Sequence, residues 1–425
     1  MIACGLGLAI LLGTNACSKN DEPEGNGTEQ GGNGGGNSGE DWSSSFIDLG
    51  AKGLANCYIV QQPGAYEFEA TNMFNLGDGL PVPPEIHPDG AMLVWQSVKG
   101  SISRVELFKT DNADFIRFEV KEADGNALIA ATEGDRIVWS WHIWMPKEEI
   151  SSVRTATGYD VMNLNLGAMT NTPGDPSSYG MLYQWGRKDP FPAAATLTGT
   201  TLTVGAPLYD MDGNSVKIAN SSWTDNNSNN LAYAIAHPTT VLSNYFTYNT
   251  SHDWLTQGDD SLWGNPEGTE KWNDVYLNKG RKTCYDPSPA GWRVGPVDVF
   301  RNATTSGQFA YTLDQFNVAD TNNDGLVTLD DYNYGWHVLV DTATPLYFPA
   351  AARYDGSYAM LMGSVSGIWG SYWSNSPSRS ASFAGAAVSS LSFSVADPNG
   401  ASSITMTPNG SASKADAYSV RCIRN

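Results

Sequence analysis

The chain has 425 residues, with 45 acidic against 24 basic side chains and a formal net charge of −21. Such a field disfavours DNA, RNA and anionic lipid headgroups as partners. A charged fraction of 16%, with 44 Gly, 22 Pro, 14 Trp and 19 Tyr, excludes a coiled coil and a wholly disordered chain.

Residues 2–13 are an apolar run ending in Thr14-Asn15-Ala16-Cys17. It is too short to span a bilayer and suits a signal peptide over 1–16 with a small-residue cleavage site. The run resembles a bacterial lipobox, which implies lipidation of Cys17. Ser18-Lys19-Asn20-Asp21-Glu22 then resembles the surface-export signal of Bacteroidetes-type lipoproteins. The expected location is the outer membrane at the cell surface, with the membrane touched through the lipid anchor only. Residues 17–45 are dominated by Gly, Asn, Ser, Thr and acidic side chains, too polar to bury a core, and read as a flexible tether.

From 46 to 150 the chain reads as a small β-sandwich. Short β-branched and aromatic runs at 57–60, 65–68, 92–95, 104–108, 115–120, 126–131 and 136–144 are separated by Gly, Pro, Asn or Asp. Pro146-Lys147-Glu148-Glu149 reads as a boundary. Beyond it come long loops rich in Asn, Ser, Thr and Gly, weak helical stretches at 297–303 and 309–316, and an apparent insertion over 196–280. No repeat period is visible.

Asn56-Cys57-Tyr58-Ile59-Val60, Gly125-Asn126-Ala127-Leu128-Ile129-Ala130 and Trp139-Ser140-Trp141-His142-Ile143-Trp144 resemble the front domain of Bacteroidetes fimbrillin-like surface lipoproteins. Five later blocks resemble the major paralogous domain called FISUMP. They are Asn165-Leu166-Gly167-Ala168, Tyr179-Gly180-Met181-Leu182-Tyr183-Gln184-Trp185-Gly186-Arg187, Asp286-Pro287-Ser288-Pro289-Ala290-Gly291-Trp292-Arg293-Val294, Tyr372-Trp373-Ser374 and Ser419-Val420-Arg421-Cys422-Ile423-Arg424. That domain is similar to the C-type-lectin-like fold of formylglycine-generating enzymes. The resemblance implies a fold that is mainly β with α+β, an N-terminal β-sandwich followed by a C-type-lectin-like domain over 151–425 with inserted loops. It also implies a Trp-rich core and paired chain ends. Among the cysteines left after Cys4 and Cys17, namely Cys57, Cys284 and Cys422, a Cys284–Cys422 disulfide is expected. The family's cysteine position is occupied here by Ser288.

His87, His142, His237, His252 and His337 show no ligand spacing, and no nucleophile elbow or phosphate loop is present. The formylglycine-generating relatives need a closely spaced reactive cysteine pair, which the sequence does not supply, so the expectation is not an enzyme. One metal site has the right spacing. In the stretch 320–331, Asp320, Asn322 and Asp324 stand at positions 1, 3 and 5 of an EF-hand-like loop, Gly325 at 6, the Leu326 carbonyl at 7 and Asp331 at 12. Calcium is the expected, structural ion, against the alternative of an Asn/Asp/Gly turn that holds no metal.

Residues 374–413 contain no Glu, Lys, Gln or Trp and a single Met406, and they sit where retroelement-diversified lectin-fold proteins carry their variable region. Asn375, Ser378, Arg379, Ser382, Phe383 and Phe393 are therefore expected on an exposed ligand-binding face, and Trp369 joins the ligand-binding set as a loop aromatic that could stack on a sugar or pack in the core. The plain alternative is a Ser/Ala/Gly-rich strand-and-loop segment. Trp223, Trp254 and Trp263 are candidates for core or for a sugar platform, and Trp373 for core. The function expected is a surface adhesin or fimbria-associated subunit whose partners are a glycan or protein ligand on another surface, and fimbrial subunits. The alternative is a carbohydrate-processing hydrolase or accessory lipoprotein that works through a carboxylate pair.

Overall fold

The computed structural model describes residues 45–71, 80–198, 205–221, 230–243, 252–265, 280–341, 343–378, 386–395 and 404–425. Cys17, the signal and the tether up to residue 44 lie outside them. Strand makes up 39% and helix 8%, so the class is mainly β.

Each of the seven front runs forms a strand. In Asp114–Val120 the alternation aims Ile116, Phe118 and Val120 inward and leaves Arg117 and Glu119 half-exposed, the period of a one-sided strand. Ile47–Asp48, Gly64–Glu69, Asp114–Val120 and Ile102–Lys109 form one sheet in that order. A second runs Ser215–Val216, Leu208–Tyr209, Gly90–Gln96, Gly125–Glu133, Arg136–Met145, Cys57–Ile59. The two sheets meet at Phe68, whose ring lies 4.7 Å from Tyr58 and 5.0 Å from Trp141.

Gly125–Glu133 and Arg136–Met145 are buried along nearly their whole length because their outer face is covered as well. There Trp139 meets the Tyr285 ring at 5.6 Å, the Trp144 indole N–H donates to the Ala168 carbonyl at 2.7 Å, and the Asn126 amide donates to the Gly167 carbonyl at 2.9 Å. Leu208–Tyr209, from the stretch read as an insertion, extends the front sheet through Tyr209 and Gln96. Residues 45–425 accordingly form one compact unit.

The largest sheet of the later half runs Phe191–Pro192, Met181–Gln184, Ala417–Ser419, Trp369–Pro377, Ala386–Val395, Ile404–Thr407. A smaller one places Cys422–Arg424 between Trp292–Val294 and Asp160–Met162, so distant parts of this half pair directly. Where helix was expected at 297–303 and 309–316, only the 3-10 turns Arg301–Ala303 and Leu313–Gln315 form. Ala310 instead pairs with Met406 as an extended bridge. The α-helix of the described residues, Leu231–Ala236, lies in the 196–280 stretch and is capped by Asn230, whose side chain accepts the Tyr233 N–H.

The expected Cys284–Cys422 disulfide does not form: Cys57, Cys284 and Cys422 are all buried free thiols. Ser288 fills the place opposite Cys422, with Sγ and Oγ 3.2 Å apart, while the Cys284 thiol points to the Pro81 carbonyl at 3.6 Å. A buried arginine braces this region. The Arg421 guanidinium bonds Asn165 Oδ1 at 2.8 Å and the Asn163 and Tyr347 carbonyls at 2.6 and 2.8 Å, and it lies over the Phe348 ring.

Candidate binding face

Among the described residues, the tail does not present Asn375, Ser378 and Phe393 to solvent. Trp369–Pro377 is an interior strand, flanked by Ala386–Val395 and Ala417–Ser419. Asn375, Ser378 and Phe393 are therefore buried, a correction to the exposed face expected of them. The Asn375 amide donates to the Val294 carbonyl and its Oδ1 accepts from Asn265. The Phe393 ring packs so closely on Gly370 that a Cβ there would overlap it. Small side chains in this segment thus answer to packing density. Trp369 is half-buried, with the Arg353 guanidinium 4.2 Å from its ring centroid and its indole N–H directed to Ser392 Oγ at 3.3 Å. Trp254, Trp263 and Trp373 are core residues. Trp223, Arg379, Ser382 and Phe383 lie outside the described residues.

The acidic loop curls around its own backbone. Asp320 Oδ2 accepts the Gly325 N–H at 2.8 Å, Asn322 Oδ1 that of Asp324 at 2.9 Å, and Asp324 Oδ1 that of Leu326 at 2.9 Å. Gly325 takes φ +88°, the left-handed turn that position 6 requires. Asp331 accepts from Thr321 and Asn322 with Oδ1 and from Thr328 with Oδ2, closing a capping box with Thr328. Burial pushes the Asp331 carboxyl up, but these donors together hold it below the usual carboxylate range. Asp320 Oδ1 is buried with no hydrogen-bond partner. Among the described residues no group of three His, Cys, Asp or Glu gathers as a metal cluster.

A second hydrophobic core knits this loop to its neighbours. Val327 and Tyr332 from the loop, Ala310, Leu313 and Phe316 ahead of it, and Phe393, Ile404 and Met406 from the tail share it. From the same segments project Phe309, Tyr311, Leu326 and Leu329, each more than half exposed. Phe309 and Tyr311 flank the paired Ala310, so both rings leave the same side of the extended segment, 6.2 Å apart. The sequence reading missed them because 309–316 looked weakly helical; the Phe-Ala-Tyr alternation was the available signal.

Two other places fit a ligand less well. A half-open cleft of about 220 Å³ lies between Asn126, Tyr179, Met181 and Leu208. It is smaller than the ~300–1,000 Å³ usual for ligand pockets, and its polar groups are engaged: Tyr179 with Ser366 and Asp124 with Lys147. Among the described residues, Asp253 with Asp260 and Asp355 with Asp416 bring two carboxylates together, but each pair clasps a cation, Lys414 and Arg353. No family model, no curated protein and no solved structure matches the chain.

Proposed function

We propose that the chain is a lipid-anchored surface protein, an adhesin or fimbria-associated subunit, that binds a glycan or protein ligand through loops of a C-type-lectin-like head of FISUMP type, set behind a fimbrillin-like β-sandwich. The observation that carries this reading is the exposed apolar set Phe309, Tyr311, Leu326 and Leu329, borne by segments locked to one core. Exposed aromatic rings on a rigid frame offer large contact area at small entropic cost, and the ring pair suits the apolar face of a sugar. The binding face thus rests on loops ahead of the tail, not on the tail strands.

The test is binding of the full chain to a glycan array and to proteins of a candidate surface, beside Phe309→Ala and Tyr311→Ala. Loss of binding of tenfold or more in either variant supports the reading. Binding to proteins but no sugar removes the lectin version and keeps the adhesin. No binding on either surface, or turnover of a polysaccharide, sinks the reading.

Calcium in the 320–331 loop is a second part of this reading, favoured by the partnerless, buried Asp320 Oδ1 beside the spacing of a hard-cation loop. The ion would brace the segments that carry Leu326 and Leu329. Titration calorimetry of the full chain with calcium checks it, and no heat at millimolar calcium refutes it.

A further inference from the structure

Lys414 is 1% exposed, and its Nζ lies 3.1 Å from Asp253 Oδ2 and 2.5 Å from Asp260 Oδ1. One ammonium faces two carboxyl groups inside an aromatic enclosure. The Nζ sits 4.4 Å from the centroid of the Trp185 ring, and that ring packs against Trp263. Backbone contacts fix the approach, since the Lys414 N–H and the Ser413 hydroxyl both donate to the His252 carbonyl, at 2.6 and 2.9 Å. Asp253 is 5% exposed, and the Leu255 N–H holds its Oδ1 at 3.0 Å, which turns Oδ2 to the amine. Burial pushes the Asp253 carboxyl above its usual range, with Lys414 opposing and Asp260 adding to the rise. A buried acid beside a second acid is favoured in its protonated form, which places the readily protonated carboxyl on Asp253.

We propose that Lys414 and Asp253 condense in the folded chain to an intramolecular isopeptide bond, with Asp260 shuttling the proton. The Lys414 ammonium passes one proton, by way of Asp260, to the Asp253 carboxylate, which leaves a neutral amine beside a neutral carboxyl. The Nζ lone pair then attacks Asp253 Cγ, the Nζ–Cγ bond forms, and Asp260 takes a proton from the nitrogen. Charge developing on Oδ1 meets the Leu255 N–H already bonded there. Asp260 returns its proton to the departing hydroxyl, the Cγ–O bond breaks with its electron pair, and one water leaves. Ammonium and carboxylate become amide and water, with no change of oxidation state and no co-reactant. The Asp260 side chain is 35% exposed and gives that water a way out.

A second buried pair supplies the contrast. Lys188 lies 2.6 Å from Asp189, both almost fully buried, but the two are adjacent in sequence, and that ammonium also meets the Ser140 hydroxyl and carbonyl and the Trp139 ring. With no second carboxylate beside it among the described residues to carry the proton, that pair stays ionic.

The experiment is a tryptic map of the purified full chain by mass spectrometry. The expected result is a branched peptide holding both 253 and 414, lighter by one water than its two linear parts, with no cut after Lys414 and a normal cut after Lys188. Lys414→Arg yields linear peptides only. Asp260→Asn keeps both condensing groups and yields linear peptides as well, with its circular dichroism spectrum unchanged. Linear peptides and a cut after Lys414 in the unsubstituted chain overturn the bond, and a branched peptide from Asp260→Asn overturns the shuttle.

Discussion

The His142 ring lies between Asn126 and Tyr183, its Nε2 2.8 Å from Asn126 Oδ1 and its Nδ1 3.2 Å from the Tyr183 hydroxyl. Because the Asn126 amide nitrogen donates to the Gly167 carbonyl, its Oδ1 must face the ring. Nε2 therefore carries the proton and Nδ1 accepts from Tyr183, a neutral tautomer fixed from both sides. Burial pulls the His142 pKa down to about 3. The unfolded chain then binds a proton that the folded chain refuses, so this residue's contribution is intact above pH ~6.5 and is lost as pH falls toward 3, by up to about 1.4 kcal/mol per pH unit. Burial lowers His337 too, with the same sign. Between pH 6.5 and 5, ordinary carboxylates scarcely titrate, and the difference between the chain and a histidine variant in urea midpoints there reads that histidine. His142→Gln is expected to flatten that slope, and an unchanged slope refutes the assignment. That His142 was packed could be read from the tryptophans around it in sequence. Its partners could not, because Tyr183 lies 41 residues away.

At the scale of elements, legibility followed periodicity. The seven front strands announced themselves as short β-branched and aromatic runs between Gly, Pro, Asn or Asp, several of them alternating with polar residues. The tail gave no such signal, since Ser, Ala and Gly suit an exposed loop and a tightly enclosed strand equally, and only the neighbours of Trp369–Pro377 decide between them. The acidic loop was legible for another reason: its turn chemistry is local, and the Gly325 N–H reaches Asp320 Oδ2 within one hairpin of sequence. If calcium fills it, a concentration 100-fold above Kd stabilises the folded chain by about 2.7 kcal/mol. Thermal melts with calcium and with a chelator read that difference, which Asp320→Ala is expected to abolish. A variant that still responds would place the ion elsewhere.

Over the whole molecule, one hydrophobic core runs from Cys57 and Phe68 through Trp139 and Trp185 to Trp373 and Cys422. The boundary expected near 150 is legible as a change of texture, yet contacts cross it, because Trp139 and Trp144 are capped by later residues that no local pattern reveals. We expect 45–425 to unfold in a single transition seen alike by circular dichroism and by tryptophan fluorescence. The isolated stretch 46–150 leaves those tryptophans uncovered, and no cooperative melt is expected of it. Two separated transitions in the full chain would mean that the shared core does not couple its halves.

Ala417–Ser419 lies between Met181–Gln184 and Trp369–Pro377, and Cys422–Arg424 between Trp292–Val294 and Asp160–Met162. During synthesis, Asp160–Met162 and Met181–Gln184 must wait for partners more than 200 residues downstream. Contacts so remote in sequence slow folding. A nascent polypeptide of this design therefore stays unfinished until residue 424 has emerged, and for that interval the edges of Asp160–Met162 and Met181–Gln184 stand open to pairing with another chain.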